Sequence, residues 1–125
     1  MVRLSSAVAA GVVTWMAIVS LINFVPRLTW PAYAAAELSY GFTLAMMIMR
    51  LTMSVLCSLL SGYVAAWIER GDRAGWIAGL ILLLLFLPDH INLWARFPAW
   101  YHLVFLISLP LLGWAGSKLR KVSAA

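Results

Sequence analysis

Residues 69–87 decide how this chain folds: Glu69-Arg70-Gly71-Asp72-Arg73 is followed, after Ala74, by Gly75-Trp-Ile-Ala-Gly-Leu-Ile-Leu-Leu-Leu-Leu-Phe-Leu87, with Pro88 next. Four charges are packed into five residues, and an uncharged apolar run then begins at once. A span needs about 20 apolar residues, because each helical residue rises about 1.5 Å through a hydrocarbon core of roughly 30 Å. The charged stretch is therefore a short turn between two membrane-crossing helices. Gly71 is expected to close the first helix in the left-handed conformation, and Asp72 to cap the second. So short a link makes the two an antiparallel hairpin.

Working outward from this hairpin, the same pattern recurs. One apolar run covers about Ser5 to Val25 and stops at Pro26, and another ends at Ile68. The last covers about Ala99 to Gly116 and is followed by Lys118, Arg120 and Lys121. The expected architecture is an all-α integral membrane protein, an up-down bundle of four transmembrane helices in one domain, 1–125. Its spans fall at roughly 5–25, 46–68, 74–90 and 99–117. Composition agrees. Apolar residues make up 65% and charged residues 10% of the 125, against roughly 45–50% and about 25% in soluble domains. A soluble fold of this length lacks the interior to hide that surface.

The formal charge of +5 does not indicate nucleic acid, because the basic residues are scattered between apolar runs and form no stripe. They read as topology signals. With the N-terminus inside, Arg3, Arg70, Arg73, Lys118, Arg120 and Lys121 are cytoplasmic, while Arg27, Arg50 and Arg96 belong to the opposite side. This balance places both termini in the cytoplasm, in a cell membrane of the bacterial inner-membrane type. Trp67, Trp76 and Trp114 then fall near the inner interface. Trp30, Trp94, Trp100 and Tyr101 fall near the outer one, where aromatic anchors are favoured.

Arg3, the first apolar stretch and Ala32-Tyr33-Ala34-Ala35-Ala36 also look like a signal peptide with a small-residue cleavage site. The stretch, however, is about 20 residues long where such a region has 7–15. Arg27 to Pro31 further separates it from the alanines. Cleavage would leave three spans in the same orientation. Small residues four apart, Ala7 and Gly11, Ser58 and Gly62, Gly75 and Gly79, suggest close helix contacts, either within the chain or in a dimer. Cys57, the single cysteine, excludes an intrachain disulfide and is expected to be a small core residue. Pro110 is expected to kink the last helix.

Chemistry concentrates toward the outer end. Pro88 lies only about 21 Å along a straight helix from Ala74, so the third span either tilts and continues past it or breaks there. Arg50 is about 27 Å up the second span from Ile68, which brings it level with Asp89, His90 and His102. Asn23 can join this layer. Three readings follow. Arg50 and Asp89 pair, with the histidines and Asn23 completing a structural network. Alternatively the layer binds a lipid head group, an anion or a substrate, with Arg50 as the anion contact. A metal site from Asp89, His90 and His102, with Glu37, is the third, but adjacent Asp89 and His90 point to different faces of a regular helix. Glu37, on a short amphipathic helix around Pro31 to Leu38, is expected to be solvated. The Pro88 to His102 segment suits an interfacial loop.

No nucleotide-binding, zinc-protease or serine-hydrolase signature is present, and no acidic residue lies mid-span as a proton-driven exporter of cations needs. No motif of the small multidrug exporters or the fluoride channels is present either. The first expectation is therefore a non-enzymatic accessory or structural subunit without cofactor or metal. A transporter or binding protein for a small molecule, ion or lipid stands second, and a membrane-embedded lipid enzyme third. The bilayer is the expected partner, with a protein partner or a second copy left open. A fully paired Arg50 and Asp89 with no cavity would favour the subunit, a cavity open to the outer leaflet and lined by the histidines would favour binding or transport, and Asp89 facing bulk water with Arg50 elsewhere would overturn the polar layer altogether.

Overall fold

The computed structural model describes residues 2–39 and 41–124. Among these the secondary structure is entirely helical: α1 Val2–Thr29, α2 Pro31–Ser39, α3 Leu44–Glu69, α4 Arg73–Asn92, a single 3₁₀ turn Trp94–Arg96, and α5 Ala99–Ala124. Four of the helices are long and apolar enough to cross a membrane, over Arg3–Thr29, Leu44–Glu69, Arg73–Asn92 and Ala99–Arg120. The side chain of Lys121, assigned above to the cytoplasmic side, lies outside the described residues.

The helix ends depart from the expected boundaries. α1 runs through Pro26 because the ladder resumes one turn later: the Trp30 N–H donates to the Pro26 carbonyl at 2.8 Å. Pro31 then opens α2, where its missing N–H costs nothing. α4 runs through Pro88 to Asn92. One lost backbone bond is cheaper than a broken helix in a nonpolar medium, and the 20 residues of α4 reach about 30 Å. α5 likewise continues through Pro110. The α3–α4 turn is closed by Arg70, at φ 63°, and not by Gly71. Asp72 makes no cap bond. Instead the Glu69 carboxylate accepts from the Ala74 N–H at 2.7 Å, and Asp72 is drawn to Lys118 Nζ at 3.0 Å. The Thr43 hydroxyl caps α3, accepting from the Met46 N–H at 3.3 Å.

α3 packs chiefly against α5 and α1, and α4 chiefly against α5. The small residues serve these seams within the chain. A Cβ on Gly62 would strike the Gly113 carbonyl, one on Gly75 would strike Ser117 and Gly113, and Gly11 faces Ala78, Ser61 and Ala65. Backbones come this close only where side chains are absent, and close approach is what holds helices together in lipid. Hydroxyls reinforce the α1–α3 seam. Ser61 donates to the Gly11 carbonyl at 2.7 Å, and the Trp15 indole donates to Ser58 at 3.1 Å. Cys57 is buried in the central cluster with Trp15, Leu82, Phe105, Leu106 and Leu109. Trp67, Trp76 and Trp114 are exposed toward the end that holds both termini, and Trp94 and Trp100 toward the other. Tyr101 is not among these anchors: it is 4% exposed and turned inward.

Candidate functional site

At the end of the bundle that carries α2 and the 3₁₀ turn, the long helices enclose a cavity of about 610 Å³. α1 contributes Trp15, Asn23 and Arg27 to its wall, α3 Arg50 and Ser54, α4 Phe86, Asp89 and His90, and α5 Tyr101, His102 and Phe105. The five residues singled out from the sequence, Asn23, Arg50, Asp89, His90 and His102, thus line one space. Met16, Ser20 and Phe24 on α1 and Asp89 on α4 line it while remaining exposed. The cavity therefore opens along the seam between α1 and α4. Its floor is aromatic, with Trp15, Phe86 and Phe105 mutually in ring contact.

The expected Arg50–Asp89 pair does not form. Arg50 Nε donates to the Tyr101 hydroxyl at 3.1 Å and Arg50 Nη1 to the Tyr33 hydroxyl at 2.9 Å, while its guanidinium lies 4.6 Å from the centre of the Phe42 ring. Among the described residues no carboxylate stands within ion-pair distance of Arg50. The reason is rotation about α4. His90 is turned inward against His102, so its neighbour Asp89 is carried to the exposed rim, without an ion pair among the described residues. Among the described residues Arg50 Nη2 has no hydrogen-bond partner, and it is not sealed off.

Glu37 corrects a second expectation. It is tied down, with its side chain 19% exposed, by Arg27 in a two-point ion pair of 2.8 and 3.0 Å and by the Asn23 amide at 3.0 Å. The Arg27 hydrogen bonds hold its carboxyl below the ordinary value of 4.5, against the opposing effect of burial. Tyr33 donates to Asn23 Oδ1 at 2.7 Å. Burial pushes its phenol above the ordinary value, so it stays protonated as that donor role requires. The result is one chain of hydrogen bonds, Arg27–Glu37–Asn23–Tyr33–Arg50–Tyr101. It is assembled because α2 folds back along α1 and buries Tyr33 and Ala36.

The two histidines form a pair, with Nδ1 atoms 2.6 Å apart. His102 is fully buried. It stacks on the Trp94 ring at 4.6 Å, and its Nε2 meets the Trp94 carbonyl at 3.3 Å. The 3₁₀ turn thus serves as the clamp of this pair, a role beyond the interfacial anchoring expected of the Pro88 to His102 segment. Among the described residues no group of three or more His, Cys, Asp or Glu side chains is placed to hold a metal ion. Deeper in the cavity, one helical turn from Arg50, Ser54 is 1% exposed and its hydroxyl has no partner among the described residues.

Sequence reasoning missed Tyr33, Tyr101 as an Arg50 ligand, Arg27, and Ser54. Spacing could have found Ser54, which follows Arg50 by four and so shares its face. Nothing local marks Tyr33, since its role depends on how α2 folds back. A scan against protein-family models and searches of characterised proteins and of solved structures found no match.

Proposed function

We propose that this chain is a multi-pass cell-membrane protein whose four long helices span the bilayer, with both termini cytoplasmic, and whose cavity binds a small ligand carrying an anionic group at the outer leaflet. The observation that carries this reading is Arg50: a cation inside an apolar bundle, held in place by two tyrosine hydroxyls, with no carboxylate within ion-pair distance among the described residues and Nη2 open. A charge at membrane depth is costly and normally has a partner. The volume of about 610 Å³ falls within the roughly 300–1,000 Å³ usual for small-molecule sites. The opening between α1 and α4 faces where lipid would lie, and this favours an amphipathic ligand.

The accessory-subunit reading stands second. It rests on the short loops, but the small-residue seams that could have served a partner helix are occupied within the chain.

Native mass spectrometry of the protein released from mild detergent, with phosphatidylglycerol and inorganic phosphate offered as separate probes, tests the reading. One of them should be retained, and Arg50→Gln should weaken it at least tenfold while Arg50→Lys weakens it less. That is the scale of losing about 1.5–3 kcal/mol from a charge-assisted bond. Retention of neither, or equal retention by Arg50→Gln, would sink it. Orientation is tested separately by membrane-impermeant maleimide labelling of Arg70→Cys and Trp94→Cys in intact cells. Cys57 is fully buried and adds little background. Labelling at position 94 alone is the expected result.

A further inference from the structure

The hydrogen-bonding roles of His90 and His102 can be assigned from their partners. A carbonyl oxygen only accepts, so the contact of His102 Nε2 with the Trp94 carbonyl at 3.3 Å places the proton of neutral His102 on Nε2. Its Nδ1 is then a bare lone pair. The 2.6 Å approach of the two Nδ1 atoms needs one proton between them, so His90 Nδ1 is the donor. Neutral His90 is left with an unprotonated Nε2. That nitrogen has no partner among the described residues and is not sealed off, and His90 lines the cavity. The fold therefore fixes a hydrogen-bond acceptor in the cavity wall.

Next to it in the chain, exposed at the cavity rim, stands Asp89, without an ion pair among the described residues. Arg50 lies close by. Tyr101 separates the two groups, with its hydroxyl on Arg50 Nε at 3.1 Å and its ring centroid 6.3 Å from that of His90. One wall of the space thus offers a cation with a free N–H edge. The other, beyond Tyr101, offers a carboxylate and a bare imidazole nitrogen.

The geometry points to a ligand that carries both an anionic group, received by Arg50, and an N–H-bearing cationic amine, received by Asp89 and His90 Nε2. A primary amine joined to a phosphate by a short linker has this chemistry. This inference rests on the anion-binding reading of the same cavity, and it adds the second half of the ligand. A lipid head group or a free phosphoamine could supply it.

The test uses the full-length protein in nanodiscs and in mild detergent. The membrane probes are phosphatidylethanolamine, phosphatidylcholine and phosphatidylglycerol, and O-phosphoethanolamine is the soluble probe. Phosphatidylcholine keeps the positive charge but has no N–H to give, and phosphatidylglycerol has neither. Phosphatidylethanolamine is expected to be retained at least tenfold over phosphatidylglycerol, with phosphatidylcholine between them. Asp89→Asn, a change at an exposed position, should reduce that preference to twofold or less. As a second measurement, the ¹⁵N resonance of His90 Nε2 should move on adding phosphatidylethanolamine and stay in place with phosphatidylcholine.

Binding of O-phosphoethanolamine and not of the lipid, with the same dependence on Asp89, supports the inference with a soluble source. Equal retention of phosphatidylglycerol and phosphatidylethanolamine, an unchanged preference in Asp89→Asn, or an unmoved His90 Nε2 overturns it, yet leaves the Arg50 anion site standing. Failure of every probe to bind overturns both readings.

Discussion

Arg27 and Glu37 are joined by two parallel hydrogen bonds, Nε to Oε1 at 2.8 Å and Nη2 to Oε2 at 3.0 Å, across the bend at Trp30 that separates α1 from α2. This fork fixes α2 against α1 and so places Tyr33 where it can hold both Asn23 and Arg50. The candidate site therefore depends on a contact outside the bundle proper.

The fork should respond to acid in a defined direction. Glu37 titrates below its ordinary value of 4.5 because Arg27 favours the ionised form. Its contribution is complete above that value and is lost as pH falls through the depressed folded value. Arg27 is 45% exposed, so solvent screens the pair and its stabilisation is modest. Amide protection of α2, taken relative to the intrinsic exchange rate at each pH, should fall in Glu37→Gln at pH 7, and the wild type should approach the same low protection at strongly acidic pH. Identical exchange in both proteins at pH 7 would show that α2 is held by apolar packing alone.

Trp15→Phe removes the indole donor and leaves the buried Ser58 hydroxyl without it. Interhelical hydrogen bonds in membranes average about 0.6 and reach about 1.7 kcal/mol, and loss of the larger ring adds to this. A destabilisation of about 1–2 kcal/mol is expected in reversible detergent unfolding. Combining it with Ser58→Ala should give less than the sum of the single effects. Strict additivity would mean that the hydrogen bond contributes nothing.

Gly62→Ala places a methyl on the Gly113 carbonyl, and backbone cannot move aside as a flexible side chain can. Overpacking of this kind costs about 1–3 kcal/mol. Gly71→Ala is the control. It meets only the Glu69 carboxylate, at 3.4 Å or more, and its φ is not positive, so a change within about 0.5 kcal/mol is expected. Equal unfolding midpoints for the two variants would argue against the close α3–α5 seam.

The histidine pair has a spectroscopic signature. With ¹⁵N-labelled histidine, His90 should show a protonated Nδ1 and a bare Nε2, and His102 the reverse. Two histidines of the same tautomer at neutral pH would contradict the shared proton. Trp94→Ala, which removes the stacked ring but keeps the carbonyl, should broaden the His102 signals by loosening the clamp.

Much of this was written in one dimension. The apolar runs, the charged turn at residues 69–73 and the short helix near Pro31 depend on local composition and length, and the helices fall there within a few residues. That Arg50, Asp89, His90, His102 and Asn23 lie toward one end of the helices followed from counting the rise per residue. This arithmetic holds for any straight helix, which is why all five line one cavity. Pro26 and Pro88 defeated it locally. A proline marks a helix end in water, where freed carbonyls find new partners, and only a lost bond in an apolar bundle.

Which groups touch could not be read this way. Arg50 had Asp89 as its obvious charge partner, yet it bonds to Tyr33 and Tyr101. The choice is made by rotation about α4 and by the folding back of α2, and neither leaves a local pattern. The same holds for Glu37, for Ser54, and for the closure of the turn by Arg70 in place of Gly71. The sequence by itself determined how many long apolar helices there are and toward which end of them the polar groups lie, because hydrophobic length and helical rise are properties of single segments. Only the tertiary structure decided the partners of Arg50, the close approach of His90 and His102, and the existence of the cavity. Each of these depends on the relative rotation of helices whose contacting residues lie far apart in the chain.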